Sequence, residues 1–372
     1  MAELPIDVNL AKMVKPSSRL HLYRRALLLA LATVLLLGVS ACSRRGRRVL
    51  EINYVSVTEA TLRDRVAPVY NHVGAVKNGE RVEVLEREKR FSRVRTASGV
   101  EGWIEQRYLV DQHTYDALQK LTQENLNDPV QSPGVLRNET NLHITPAREA
   151  EHLYQLPSGA RVSVLKRATA EKQVGSAGEP ARIEGKVEGK TSAHTSGGRA
   201  SSGPVLEDWW LVRDADNRVG WVLARMVDLD VPLDIAQYAE GQRIVAFFAL
   251  NQVLDTGKEG TGKNVSQYLC VLTEPRDGLP YDYDQIRVFT WNVKKHRYET
   301  AYREHGLNGV LPVTVTTENF DKEGVLPVFI LRVKDDSGNV TERKYKLNTP
   351  IVRRVLAPGE QKQEPRRSKH RS

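Results

Sequence analysis

The sequence predicts an all-β protein in which two copies of a small β-unit, at residues 54–110 and 135–230, precede a third β-region at residues 231–356. Two observations predict this class. Apolar and polar residues alternate in short runs between turn-forming clusters, which is typical of half-buried strands. In addition, residues 62–85 align with residues 142–165 without a gap at an offset of 80, and such self-similarity indicates a repeated structural unit.

The N-terminal region has the pattern of a secretory signal. Residues 26–41 contain no charged residue, follow the basic pair Arg24-Arg25 and end at Cys42. A basic segment, an apolar segment and a small-residue exit are the three parts of such a signal. Sixteen residues are short for a membrane span, which needs about 20, so an uncleaved anchor is the weaker alternative. Met1 and Met13 are both possible start residues.

The residues Val39-Ser40-Ala41-Cys42 resemble the lipobox of bacterial lipoproteins. The resemblance implies that residues 1–41 are removed and that Cys42 carries the lipid that anchors the mature chain to a membrane. Ser43 follows Cys42, and in the Gram-negative sorting rule an Asp at that position favours the inner membrane. We therefore expect an outer-membrane location facing the periplasm, with residues 42–53 as a basic tether.

The net charge of +9 lies at the ends of the chain. Residues 1–41, 43–48 and 353–372 carry +3, +4 and +5, which leaves the remainder at −3. A nucleic-acid-binding protein carries its positive charge on a folded face, so this distribution argues against nucleic acid as a partner. The tail at 357–372 lacks apolar periodicity and is predicted to be disordered.

A second block completes each copy of the repeat, now at an offset of 118. Phe91 to Arg95 aligns with Trp209 to Arg213, and Gly102-Trp103-Ile104 aligns with Gly220-Trp221-Val222. The glycine permits close approach of the backbone, and we expect each following tryptophan to fill a core. With a turn glycine before a Val-x-Val strand, both copies resemble bacterial SH3-like domains. The resemblance implies two small SH3-like barrels. In residues 231–356, seven β-branched and aromatic runs between turn clusters predict an antiparallel β-sandwich or barrel.

Two segments interrupt this pattern. Residues 168–206 are rich in Gly, Ser and Ala, and such a composition buries too little apolar surface to fold alone; they are predicted to be a disordered insert in the second barrel. Residues 111–134 separate the barrels, and Tyr115, Leu118 and Leu121 there share one helical face. We expect a short helix followed by a linker. Cys270 has no intrachain partner and is expected to be a buried apolar residue.

The chain shows no pattern of catalytic or metal-binding residues, and the nine histidines are scattered singly. We therefore expect no enzyme, no cofactor and no metal. Candidate binding residues are Arg63, Tyr70 and Trp103 in the first barrel, and Tyr154, Trp209 and Trp210 in the second. Side chains alternate along a strand, so one of the adjacent tryptophans, Trp210, is expected to be exposed.

The resemblances to the lipobox and to bacterial SH3-like domains imply a membrane-anchored lipoprotein of the cell envelope that binds cell-wall peptide (peptidoglycan) or envelope proteins without catalysis. A structural or assembly role, with the C-terminal β-domain as the working part and the barrels as spacers, is the alternative. Enzyme activity in that C-terminal domain is a weaker alternative.

Overall fold

The computed structural model describes residues 47–66, 71–172, 204–257 and 262–356. Strands within these residues form three antiparallel sheets of seven strands each, and the all-β class predicted from the sequence is confirmed. The predicted signal peptide, Cys42 and the tail at 357–372 lie outside the described residues. Among the helices that are described, none has the length and apolar character needed to cross a membrane.

The first sheet follows from the first copy of the repeat. Its strands are β1 (Glu51–Val55), β2 (Glu59–Arg63), β3 (His72–Lys77), β4 (Arg81–Glu88), β5 (Phe91–Thr96), β6 (Glu101–Glu105) and β7 (Leu109–Asp111). Their order across the sheet is β3-β2-β6-β5-β4-β1-β7. Alternation along β4 buries Val82 and Val84, and these pack with Leu62, Val94 and Ile104 in one apolar core.

In both Gly-Trp pairs the glycine faces the barrel core and the tryptophan lies outside it, which is the reverse of the prediction. Gly102 and Ile104 share the core face of β6, so Trp103 between them projects to the other face. A Cβ atom at position 102 would lie 2.7 Å from the Cβ of Leu62, which is why only glycine fits there. Trp221 in the second copy likewise packs outside its barrel core, against Leu165 and Leu211.

A helix connects the first sheet to the second. This helix, α1 (Gln112–Glu124), begins where the Asp111 carboxylate accepts a hydrogen bond from the Thr114 backbone amide at 2.9 Å, a favourable N-terminal cap. Tyr115 stacks on Tyr54 of the first sheet, with ring centroids 4.0 Å apart. Leu118 packs against Tyr54 and Leu153 in a small apolar cluster. The helix lies within the predicted linker, but the next strand already begins at residue 132.

The second sheet repeats the topology of the first. Its strands are β8 (Ser132–Leu136), β9 (Thr140–His143), β10 (His152–Leu156), β11 (Arg161–Glu171), β12 (Leu206–Asp214), β13 (Val219–Leu223) and β14 (Val227–Leu229). The order β10-β9-β13-β12-β11-β8-β14 is that of the first sheet, strand for strand. Single 3-10 turns precede the last strand of both sheets, at Gln106–Tyr108 and Ala224–Met226.

The predicted insert at 168–206 starts too early and ends slightly late. Residues 168–171 continue strand β11 and pair with residues 206–209 of β12, so the two strands form an arm longer than its counterpart in the first sheet. The sequence shows no apolar alternation at Thr169 and Ala170 that would mark them as strand residues. The reason is that one face of this arm makes polar contacts with the third sheet. Residues 173–203 lie outside the described residues.

The third sheet is a single antiparallel meander. Its strands, in sequence and in spatial order, are β15 (Arg243–Asp255), β16 (Lys263–Thr273), β17 (Tyr283–Asn292), β18 (Arg297–Asn319), β19 (Val325–Lys334), β20 (Val340–Asn348) and β21 (Ile351–Val355). The first strand also touches β18 and β19, so the sheet curls over its own inner face. The turn between β19 and β20 has Gly338 at a positive φ of 83°. A further 3-10 turn, Asp321–Glu323, precedes β19.

A short helix covers the outer face of the third sheet. It is α2 (Leu233–Ala236), continued by the 3-10 turn Gln237–Ala239, and its Ile235 packs on Cys270 and Phe289. Cys270 is buried, as the sequence indicated. Burial raises the pKa of its thiol to about 12, so this cysteine is an unreactive core residue.

The second and third sheets share one core. A single apolar cluster runs from Leu142 and Val164 of the second sheet to Val271 and Phe329 of the third. Gln131 bridges the two sheets, since its side-chain oxygen accepts a hydrogen bond from the Val313 backbone amide at 2.8 Å. The two sheets therefore pack as one structural unit.

Buried charges also cross this junction. The Arg167 guanidinium donates to Asp208 at 2.6 Å and, across the junction, to Asp282 at 3.2 Å and to the Tyr281 carbonyl at 2.8 Å. Asp208 accepts from the Gly278 backbone amide of the third sheet at 3.0 Å. These contacts fix the β11–β12 arm on the loop that connects β16 to β17.

Candidate binding cleft on the first sheet

A cleft of about 390 Å³ is lined by residues of the first sheet. It has an aromatic wall, one arginine and two carboxylates. Its lining residues are Val57, Glu59, Ala60, Thr61, Arg63, Phe91, Trp103, Ile104, Glu105 and Tyr108. The volume is near the lower end of ligand pockets, about 300–1,000 Å³.

Strand pairing brings the two predicted residues of this cleft together. Arg63 of β2 lies directly opposite Trp103 of β6, and directly opposite residues in an antiparallel pair have Cβ atoms about 4.5–5.5 Å apart. Phe91 of β5 lies opposite Glu105 at the far end of β6. Trp103 lines the cleft although it is only 7% exposed.

Arg107 holds one end of the cleft in place. Its guanidinium donates to the Tyr108 hydroxyl at 2.9 Å and lies 4.9 Å from the centre of the Tyr108 ring. It also forms an ion pair with Glu105 at 2.8 Å. The hydrogen bond to Tyr108, with the charge of Glu105 beside it, raises the pKa of Arg107. These contacts restrain Tyr108 and Glu105, both of which line the cleft.

The lining suits a peptide. Aromatic rings pack on apolar side chains and on the flat faces of amides, and the charged groups of both signs can pair with a peptide's own charges and hydrogen-bonding groups. Among the described residues, no group of three or more His, Cys, Asp or Glu side chains is placed to hold a metal ion.

The corresponding position of the second sheet is filled. His143 lies opposite Trp221, as Arg63 lies opposite Trp103, but Trp209 replaces Phe91. Trp209 is buried and packs edge-on to His143, with centroids 5.5 Å apart. Burial lowers the pKa of His143, and burial together with the neighbouring His143 lowers that of His152. Burial therefore favours the neutral form of both imidazoles.

The structure corrects the prediction for Trp210. This side chain is only 4% exposed, and its neighbour Trp209 is also buried. The two do face opposite ways, but Trp209 packs beside His143 while Trp210 faces the core shared with the third sheet. The sequence could not show that the third sheet covers the face of β12 on which Trp210 lies.

The other candidates have different outcomes. Tyr154 is half-buried at the joint between the first two sheets. The central carbon of the Arg218 guanidinium lies 4.6 Å from the centre of the Tyr154 ring. Tyr70 lies outside the described residues. The sequence analysis missed Glu59, Glu105 and Tyr108, and the signal for Tyr108 was its place directly after the Gly-Trp strand.

A comparison with protein families identifies part of the first sheet. Residues 61–110 match the bacterial SH3 domain. The resemblance seen in the first copy of the repeat is therefore confirmed for this segment, which contains most of the cleft. No curated protein matches the chain.

Solved structures with detectable likeness to this chain include three proteins named NlpC or NlpC/P60. NlpC1 from Trichomonas vaginalis is 8% identical, with 69% of this chain and 89% of that one covered at a TM-score of 0.17. NlpC2 from the same organism is 11% identical, with 83% and 97% covered and a TM-score of 0.16. An NlpC/P60 family protein from Bacillus cereus ATCC 10987 is 11% identical, with 81% and 95% covered and a TM-score of 0.21.

This finding corrects one prediction. The sequence analysis expected no enzyme, and the likeness to NlpC/P60 family structures runs against that expectation, which is withdrawn. TM-scores this low carry no argument for the fold or the activity, so no reaction is assigned to the chain from them.

Proposed function

We propose that this chain is a lipid-anchored protein of the bacterial cell envelope that binds peptide, either of the cell wall or of another envelope protein, in the cleft of its first sheet. The observation that carries the proposal is the match of residues 61–110 to the bacterial SH3 domain. The cleft on that domain combines Trp103, Tyr108 and Arg63, which belong to the residue types that dominate binding energy in protein interfaces.

The anchor in this proposal is Cys42. Its support is the sequence Val39-Ser40-Ala41-Cys42 after an uncharged apolar segment. Four arginines follow within residues 44–48, and each cation near an anionic membrane surface gains about 1 kcal/mol. Because Ser43 follows the cysteine, the outer membrane facing the periplasm is the proposed location.

The second sheet is proposed to be a second SH3-like domain with a different task. Its strand order and its cross-strand pair, His143 opposite Trp221, reproduce those of the first sheet. The buried Trp209 occupies the place of the cleft wall, and the sheet shares its core with the third. It therefore joins the binding domain to the third sheet.

An assembly role for the third sheet is the second candidate. The shared core of the second and third sheets favours a version in which they act together. It disfavours the version in which the barrels are spacers, because a spacer needs no common core with the domain it carries.

A sedimentation assay with purified peptidoglycan tests the proposal. The full chain is expected to co-sediment, and Arg63→Gln combined with Tyr108→Ala is expected to reduce the bound fraction at least fivefold. Arg81→Gln is the matched control, because Arg81 is an exposed arginine of the same sheet outside the cleft. Equal sedimentation of the double variant and the control would refute binding through this cleft.

A further inference from the structure

A second cleft, of about 320 Å³, lies where the second and third sheets meet. We call it the interface cleft. Both sheets contribute to it, and its lining residues are Arg137, Trp210, Ala224, Arg225, Val227, Leu229, Arg243, Ile244 and Asp277. It is separate from the cleft of the first sheet and shares no residue with it.

One part of this cleft is apolar. Trp210 is almost fully buried from solvent yet lines the cleft, beside Val227 and Leu229 of β14 and Ile244 of β15. In the first sheet the residue that aligns with Trp210 is Ser92. The aromatic surface is therefore particular to the second copy, and it suits an aliphatic side chain.

The charged part of the cleft is mostly positive, with three arginines and one carboxylate. Arg243 is held between Asp208 at 3.2 Å and Asp277 at 3.0 Å. Arg137 donates to Asp228 at 2.8 Å. Both of these guanidinium groups are already engaged by nearby carboxylates.

Arg225 differs from the other two arginines. Its side chain is 58% exposed, and its ion pair with Glu207 is long, at 3.5 Å. Glu207 is already engaged by Arg148, whose Nε donates to it at 2.7 Å. The planar guanidinium of Arg225 can therefore take a second carboxylate in a bidentate pair, the geometry in which arginine binds carboxylates most strongly.

We infer that the interface cleft binds the C-terminal end of a peptide. Arg225 pairs with the terminal carboxylate, and the last side chain, an aliphatic one, packs against Trp210. The volume lies at the lower end of ligand pockets, which fits one or two residues rather than a long segment. Because this site lies on different sheets from the first cleft, the inference goes beyond the proposed function and does not depend on it.

Isothermal titration of the full chain with N-acetyl-leucine tests this inference, with N-acetyl-leucinamide as the uncharged ligand of matched shape. Saturable binding of the acid is expected, with affinity at least tenfold weaker for the amide. Arg225→Gln is expected to weaken binding of the acid at least tenfold. Arg81→Gln is the matched control, since Arg81 is an exposed arginine that lines neither cleft, and it is expected to bind as the parent does.

Three results would overturn the inference. They are absence of saturable binding of N-acetyl-leucine, equal affinity for the acid and the amide, and unchanged affinity in Arg225→Gln. Arg225 is largely exposed, so its replacement leaves the fold intact, and the comparison of the two ligands on the unaltered chain is independent of any variant.

Discussion

Replacing Asp208 by alanine tests the claim that the second and third sheets form one unit. The Asp208 side chain is 3% exposed and accepts hydrogen bonds from Arg167 at 2.6 Å, from Arg243 at 3.2 Å and from the Gly278 backbone amide at 3.0 Å. Asp208→Ala removes these contacts and also the hydrogen bond that the carboxylate accepts from the Thr169 hydroxyl at 3.3 Å. It leaves the buried guanidinium of Arg167 with Asp282, at 3.2 Å, and with backbone carbonyls.

The expected loss follows from these remaining partners. Removing one member of a buried ion pair costs about 3–5 kcal/mol, because the other charge stays buried. Since Asp282 still faces Arg167, the lower end applies, and we expect a loss of about 3 kcal/mol in the free energy of unfolding. Urea denaturation of the full chain measures it.

The matched control is Asp228→Ala, which removes a carboxylate that is 56% exposed and also pairs with an arginine. Exposed ion pairs contribute little to stability, so its denaturation midpoint is expected to match the parent's. Hydrogen exchange adds a second readout: in Asp208→Ala, protection falls together in the β11–β12 arm and in residues 274–282. A loss of stability no larger than that of the control, or a loss of protection confined to a single sheet, would refute the shared unit.

Three further predictions concern packing, pH and the anchor. Gly220→Ala places a Cβ atom 2.6 Å from the Cβ of Leu142 and is expected to cost about 1–3 kcal/mol in urea denaturation; a cost below about 0.5 kcal/mol, within the range of surface changes, would contradict this close approach. The pKa values of His143 and His152 lie below 6.5 in the folded chain because of burial, so the unfolded chain binds more protons just below pH 6.5 and stability falls as the pH drops from 6.5 toward 5. A thermal midpoint that is constant over this range would contradict that assignment, since carboxylates titrate mainly at lower pH. Cys42→Ser is expected to abolish both fatty-acid labelling and removal of the signal, and a variant that is still labelled and processed to the parent's size would refute the lipid anchor.

The repeat allowed much of the fold to be predicted. The offsets of 80 and 118 place equivalent strands in both copies, and the two sheets have the same strand order. The pairing of Arg63 with Trp103 in one cleft also agrees with the sequence analysis. These features depend on local alternation and on the repeat itself, both of which are visible in a single sequence.

Other features depend on contacts between distant segments. Whether Gly102 or Trp103 faces the core is decided by the close approach of Leu62, and alternation alone cannot say which face is inside. Trp210 is buried because the third sheet packs on the second. The polar residues of the arm at 168–171 resemble a loop, although pairing with β12 makes them a strand.

Hydrogen exchange of the full chain, with and without soluble muropeptides released from purified peptidoglycan, tests the central claim most directly. Peptide bound in the cleft of the bacterial SH3 domain is expected to slow exchange at residues 57–63 and 103–108, and this slowing is expected to be lost in the Arg63→Gln, Tyr108→Ala variant. Unchanged exchange at these residues, or slowing that persists in the variant, would contradict peptide binding at this cleft.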